Sequence, residues 1–343
     1  LIVTDAIYRS GMFTHSGMRW GVPLVGWRSV LSSTAYGWHD RVKTNVRFLT
    51  SHQVTESDKT RPEADPAVRL TRQSPNSRLF GKGRIRVFQP NHYDMQSQWF
   101  DQMIHNWRWT GDAELEATLR PALYLHLDWM DECFDPDGDG AYESYNNTWP
   151  TDNTWFSGSG TSEQTAYAFT SHRAAAEMAR RAGDAEREKH HVAKVEQIRA
   201  GFFKQMWATA PGHPGAVREQ IGHKRLREDP WLYAIFCPID AGLLDPVQSL
   251  QALHYTEWAL QRVDLPYGGQ LVWPSNWVPN LWSARELWPG DTYHLALAYH
   301  QAGLPDDAWN IFRGTFMHYL VHGPVPGDQG HGDGAVRGAA VLR

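Results

Sequence analysis

Three carboxylates, Glu143, Asp152 and Glu163, follow the acidic turn at Asp135–Gly140 within the stretch Asp135 to Ala168, DPDGDGAYESYNNTWPTDNTWFSGSGTSEQTAYA. Tyr142, Tyr145, Trp149, Trp155 and Phe156 are spaced among them. A loop this long inside a compact domain is functional or disordered, and its aromatic content argues against disorder. Carboxylates beside aromatic faces suit a carbohydrate. The rings take the apolar C–H side of a sugar, while the carboxylates accept hydroxyls and move protons. The plainer alternative is a loop whose tryptophans cap helix ends. Asp135-Pro136-Asp137-Gly138-Asp139-Gly140 also follows the first half of a calcium loop, with Asp135, Asp137 and Asp139 as ligands. Position twelve of that template is Asn146 rather than Glu, which favours a plain Gly-rich turn and leaves calcium as the second option. The 17 histidines form no HExxH, so no catalytic metal and no other cofactor is expected.

The elements that must position these groups are helical hairpins. Met95, Trp99, Met103 and Trp107 mark one apolar stripe, and Leu115, Leu119, Leu123, Leu127 and Met130 mark the next. Thr110-Gly111-Asp112 between them supplies a C-terminal Gly and an N-cap Asp. Pro121 should bend or interrupt the second helix. The figure returns at Gly183-Asp184, between helices over 161–181 and 185–207. Looser versions follow at Asp240–Pro246 and Gln301–Pro305. With weaker helical runs near 22–31 and 35–49, the chain holds about ten helices, or five hairpins. An open solenoid or a closed ring would satisfy this pattern. The long connections at 51–91, 135–160, 208–229 and 262–290 all fall between hairpins, which favours a ring with one decorated mouth. Residues 51–91 read as an excursion, with RIRVF at Arg84–Phe88 fit for a β-hairpin, and 322–343 as an irregular tail.

The 343 residues suffice for one large core or two modest ones. Hydrophobic content of 41%, charged content of 21% and a net charge of −5 describe an ordinary globule, with no basic block to follow a phosphate backbone. Nucleic acid is therefore not expected as a partner. Membrane is not expected either, since no apolar run could span a bilayer. Cys133 and Cys237 read as buried thiols rather than a bridge. The 17 tryptophans imply an aromatic core and a lined groove. The chain opens LIVTDAIYRSG and closes GDQGHGDGAVRGAAVLR, which reads as a fragment cut at both ends of a periplasmic or secreted bacterial protein.

Several segments together resemble the six-hairpin (α/α)6 glycosidases, and most closely the uncharacterised bacterial DUF4450 family. They are GWHDR at Gly37–Arg41, NHYDMQSQWFDQ at Asn91–Gln102, DGDGAYES with WPTDNTW, SNWVPNLWS at Ser275–Ser283, and HLALAYHQAG at His294–Gly303. The resemblance implies an all-α (α/α)6 toroid over the whole chain as a single domain, with its last hairpin incomplete. It also implies glycoside hydrolysis, mostly inverting, at the loop-rich mouth. Related toroids include phosphorylases and polysaccharide lyases, and a non-catalytic toroid binding glycan or protein is the further alternative.

Inversion needs a carboxylic acid and a carboxylate base roughly 6.5–9.5 Å apart. Asp152 resembles the acid of such enzymes, and desolvation among tryptophans would keep it protonated; an Asx-turn would use the same residue. Glu219, Asp291 or Glu286 would be the base, unless the base lies beyond this chain. Asp291 could equally cap its helix, and Glu219 be an exposed charge. Glu143 would bind hydroxyls or hold Asp152. Glu163 suits the first turn of a helix, where a carboxylate meets the macrodipole. Trp27, Trp38, Trp149, Trp155, Trp277 and Trp282 are candidate stacking platforms. Arg28, His39, Asp40, Asn91, His92, Asp94 and Asn276 are candidate ligands for hydroxyls or a substrate carboxylate.

Overall fold

The computed structural model describes residues 33–56, 81–86, 93–144, 159–210, 213–221, 224–226, 230–275, 287 and 289–322. Among these the protein is mostly α-helical. The helices are α1 (His39–Ser51), α2 (Tyr93–Thr110), α3 (Ala113–Phe134), α4 (Ser162–Ala182), α5 (Ala185–Gln205), α6 (Leu232–Asp240), α7 (Pro246–Ala259), α8 (Pro289–Gln301) and α9 (Pro305–Phe316). A π-turn over Met317–Val321 extends α9. No helix among the described residues is long and apolar enough to cross a membrane.

All four joints expected from the sequence are present, and each turns on a glycine. Gly111, Gly183, Gly242 and Gly303 have φ between 64° and 83°, the left-handed turn that ends a helix. At three of the joints an acid then caps the next helix, whereas at the fourth Leu304 precedes α9 and makes no side-chain cap, with Pro305 opening the helix instead. Asp112 accepts from the Glu114 and Leu115 amides at 2.8 and 3.0 Å, and Asp184 accepts from the Arg187 amide at 3.1 Å. Asp245 and Gln248 form a reciprocal capping box. Of the bend or break expected at Pro121, the break does not occur: helix α3 runs through it. Pro121 and Ala117, whose carbonyl loses its donor, are both exposed, so that carbonyl can turn to water.

The chain divides into two compact units, residues 1–148 with 167–200, and residues 149–166 with 201–343. The first is built on Val42, Val46, Phe100, Met103, Ile104, Leu119, Leu123 and Met178, with Trp99 and Trp107 in the core as their spacing requires. The indole of Trp99 donates to Asn45 at 2.9 Å, and that of Trp107 to Glu116 at 3.1 Å. In the second unit α6 is buried from Leu232 through Ile239, a helix apolar on all sides.

The expected loops at 208–229 and 262–290 are partly folded. Glu143–Ser144 and Ser159–Gly160 are the two-residue strands β1 and β2, and antiparallel ladders pair β3 (Trp207–Ala210) with β4 (His213–Val217), and β5 (Gln220–Ile221) with β6 (Arg225–Leu226). A third pairs β7 (Arg262–Asp264) with β8 (Gln270–Val272). In the 51–91 excursion, the described residues form one antiparallel bridge, Gln53 with Ile85. The rest of that excursion and the tail beyond 322 lie outside the described residues.

Candidate functional site

In the second unit, buried acids collect where helices begin. Glu219 lies between β4 and β5 and is 3% exposed. Its Oε1 accepts from the backbone amide of Ser162 at 2.8 Å, the first residue of α4, and its Oε2 accepts from the Trp231 indole at 2.6 Å. A carboxylate against the free amides of a helix start is favourable for the charge and for the donors. The expectation that Glu219 might be an exposed charge is corrected: it is a buried acceptor, fixed by two donors distant in sequence.

Neighbouring contacts draw more chain to the same place. Ser162 Oγ donates to the Ala234 carbonyl at 2.7 Å, the Gly160 amide to Gln220 at 3.2 Å, and the Lys224 amide to Ser159 Oγ at 3.3 Å. Trp231 pairs with Ser275 in an antiparallel bridge. Glu163 stands in the first turn of α4, as expected, and is fully buried. Gln164 beside it is also fully buried, and neither amide atom has a hydrogen-bond partner. Asp291 is 1% exposed in the first turn of α8. This arrangement offers buried carboxyls together with an amide that a polar ligand or water would satisfy.

The first unit holds a second polar cluster that the sequence reading missed. Asp131 of α3 accepts from the Tyr142 hydroxyl, lies 3.3 Å from His172 Nε2 of α4, and pairs with Lys194 of α5 at 3.0 Å. His172 Nδ1 meets His191 Nδ1 at 3.0 Å. Burial alone would raise the Asp131 carboxyl, yet His172, Tyr142 and Lys194 hold it well below the usual carboxylate range. Burial and the neighbouring His172 push His191 and His126 down to about 3, so both are neutral. Burial raises the Asp135 carboxyl to about 6. Tyr142, expected among the sugar-facing aromatics, is fully buried because its hydroxyl is spent on Asp131.

Other candidates of the first unit stand apart from this cluster. Trp38 is half-buried at the start of α1, with the Arg41 guanidinium 5.2 Å above its ring. His39 is half-buried, Asp40 is exposed, and Glu143 is half-buried in the two-residue strand β1 (Glu143–Ser144). Asp152, Trp27, Arg28, Asn91, His92, Trp149, Trp155, Asn276, Trp277, Trp282 and Glu286 lie outside the described residues, as does the side chain of Asp94. A cleft of about 510 Å³ between α8 and α9 is lined by Tyr293, Leu297, Pro305, Trp309 and Phe312. Its lining also includes His300 but no carboxylate, so it lacks the pair of carboxyls that glycoside hydrolysis uses.

No protein-family model matches the chain, and the DUF4450 likeness therefore remains a resemblance. No curated protein matches it either. Among solved structures it is similar to a rhamnosidase from Klebsiella oxytoca with rhamnose bound, at 13% identity and a TM-score of 0.44, over 66% of this chain and 37% of that one. It is likewise similar to a GH78 family rhamnosidase of Bacillus sp. GL1, at 13% identity and a TM-score of 0.45, over 66% of this chain and 21% of that one. The chain thus spans well under half the length of either structure.

Proposed function

We propose that this chain is part of a glycoside hydrolase that cleaves an oligo- or polysaccharide with inversion, its hairpins closing into an (α/α)6 ring. The observation that carries the reading is the buried Glu219 carboxylate, held at the start of α4 beside the unsatisfied amide of Gln164. Such a site is built to meet a polar, uncharged ligand: fixed acceptors and an amide donor take hydroxyls without a net charge to neutralise.

In this reading Asp152 protonates the leaving glycosidic oxygen. Asp291, buried at the start of α8, takes the proton of the attacking water. Glu219 is a positioning residue, since its two oxygens accept the Ser162 amide and the Trp231 indole and so fix the start of α4. Trp149, Trp155, Trp277 and Trp282 supply stacking faces, and Glu143, Asn276 and Glu286 supply hydroxyl partners. Support for Asp152 comes from the sequence. Its segment runs between Ser144 and Ser159, and the Ser159–Gly160 end is tied to Gln220 and Lys224 beside Glu219.

The test is hydrolysis of a panel of glycans by the full-length protein, with the anomer of the first product read by NMR. Asp152→Asn and Asp291→Asn should each lower kcat by about 10²–10⁴-fold while the product of the wild type is inverted. Unchanged turnover in Asp152→Asn would remove it from the acid role. Glycan binding without any turnover by the wild type would replace hydrolysis with a binding function.

A further inference from the structure

The acidic turn after α3 is a separate matter from glycan chemistry. We propose that Asp135, Asp137 and Asp139 bind a calcium ion, which locks the exit of α3 against α5.

One carboxylate oxygen from each of the three aspartates lies within 4.8 Å of the others. Calcium takes oxygens at about 2.3–2.6 Å, so ligands around one ion fall within about 5 Å of each other. A cluster of acids is common without an ion, and a second observation decides here. The Asp135 side chain is fully buried, and its Oδ2 accepts no hydrogen bond. Its Oδ1 takes the Gly140 amide at 3.1 Å. Lys194 Nζ is 3.8 Å from Oδ2, beyond hydrogen-bond reach, and is committed to Asp131 at 3.0 Å. A buried carboxylate oxygen left in this state is costly, and a hard cation is the ligand that relieves it.

The backbone agrees with the loop template. Helix α3 ends at Phe134, so Asp135 takes position one, and Asp137 and Asp139 take positions three and five. Gly140 takes position six with φ of 81°, and a Cβ there would lie 2.5 Å from the Gln197 carbonyl of α5. Gln197 in turn donates to the Gly138 carbonyl. The turn is thus pressed on α5, and an ion inside it would stiffen that contact. Asn146 at position twelve cannot give the bidentate pair of a Glu, which sets the affinity in the weak range, about 10⁻⁴–10⁻³ M.

The test is calorimetric titration of the full chain with calcium chloride, then with magnesium chloride, alongside thermal unfolding in EDTA and in about 10 mM calcium. Calcium should bind at one site and raise Tm by roughly 3–8 °C, and magnesium should bind at least tenfold more weakly, because it dehydrates reluctantly. In Asp137→Asn/Asp139→Asn the calcium shift should vanish while the Tm in EDTA stays within about 1 °C, since Asp137 is exposed and Asp139 half-buried. An absent heat and shift in the wild type would overturn the proposal. So would a shift that survives in the double variant. Neither result depends on whether any glycan is cleaved.

Discussion

A buried amide with neither its oxygen nor its nitrogen satisfied costs stability, and Gln164 carries that cost at the first turn of α4. A protein keeps such a group where a ligand completes it, so stability and function should separate at this position. Gln164→Met keeps the volume and deletes the unmet polar atoms. It should raise unfolding stability by about 1–3 kcal/mol in urea while lowering kcat/KM in the proposed glycan hydrolysis. Lower stability together with untouched activity would place Gln164 in ordinary packing. His126 gives a prediction in pH. It is fully buried, stacked 4.2 Å from Phe100, and its Nδ1 lies 3.0 Å from the Gln96 amide, with His172 and Asp131 as the charged or titratable groups that act on it. Burial holds its folded pKa near 3 against 6.5 when unfolded. The unfolded chain therefore takes up the proton first as pH falls, and stability is lost below about pH 6.5. Between pH 7.5 and 5.5 this single histidine removes about 1.4 kcal/mol. His191 acts in the same direction, whereas Asp135, with its folded pKa near 6, opposes it. The comparison of wild type with His126→Asn isolates the term: the variant should lose that much less stability over the same pH interval. Parallel stability–pH curves for the two proteins would refute it.

At the level of elements, what the sequence made legible was the hairpin joints, because their determinants are local. A Gly that adopts positive φ, followed within a few residues by an Asp whose carboxylate caps the next turn, is a local matter that makes three of the joints; the fourth uses Gly303 with Pro305 opening the next helix. The ladders at 207–226 and 262–272 were not legible. HPGAV, RVD and QLV are too short to show alternation, and what pairs them is the turn between them. The site was legible only in part. Glu219 stood out as an acid between helices, but its partner Ser162 lies 57 residues away and owes its role to being first in α4. Trp231 was overlooked because nothing in its own neighbourhood marks it as a donor to Glu219. The Asp131–His172–His191 cluster could have been found: His172 and His191 flank the Gly183 joint at similar distances, and antiparallel helices bring such residues face to face. Ligand spacing within a single helix, as in HExxH, does not describe a pair that faces across two helices.

Over the whole molecule, two cores form from one chain, and each contains one cysteine. Cys133 sits near the end of α3 in the first unit and Cys237 within α6 in the second; they are 8% and 3% exposed and not disulfide-bonded. A buried thiol reacts only when the structure around it opens, so its alkylation rate reads the opening free energy of its own unit. Native protein treated with iodoacetamide should keep both thiols for hours, and both should be modified within minutes in concentrated guanidinium chloride. At intermediate denaturant, peptide mass spectrometry assigns the modification to each cysteine. Equal rates for the two mean that the units open as one cooperative body, and a lag of Cys237 behind Cys133 means that the α6 core outlasts the α1–α5 core. Rapid labelling of both in native buffer would contradict the burial itself. Because α6 is apolar on every side while α3 keeps an exposed face at Ala117 and Pro121, the expected order is Cys133 first.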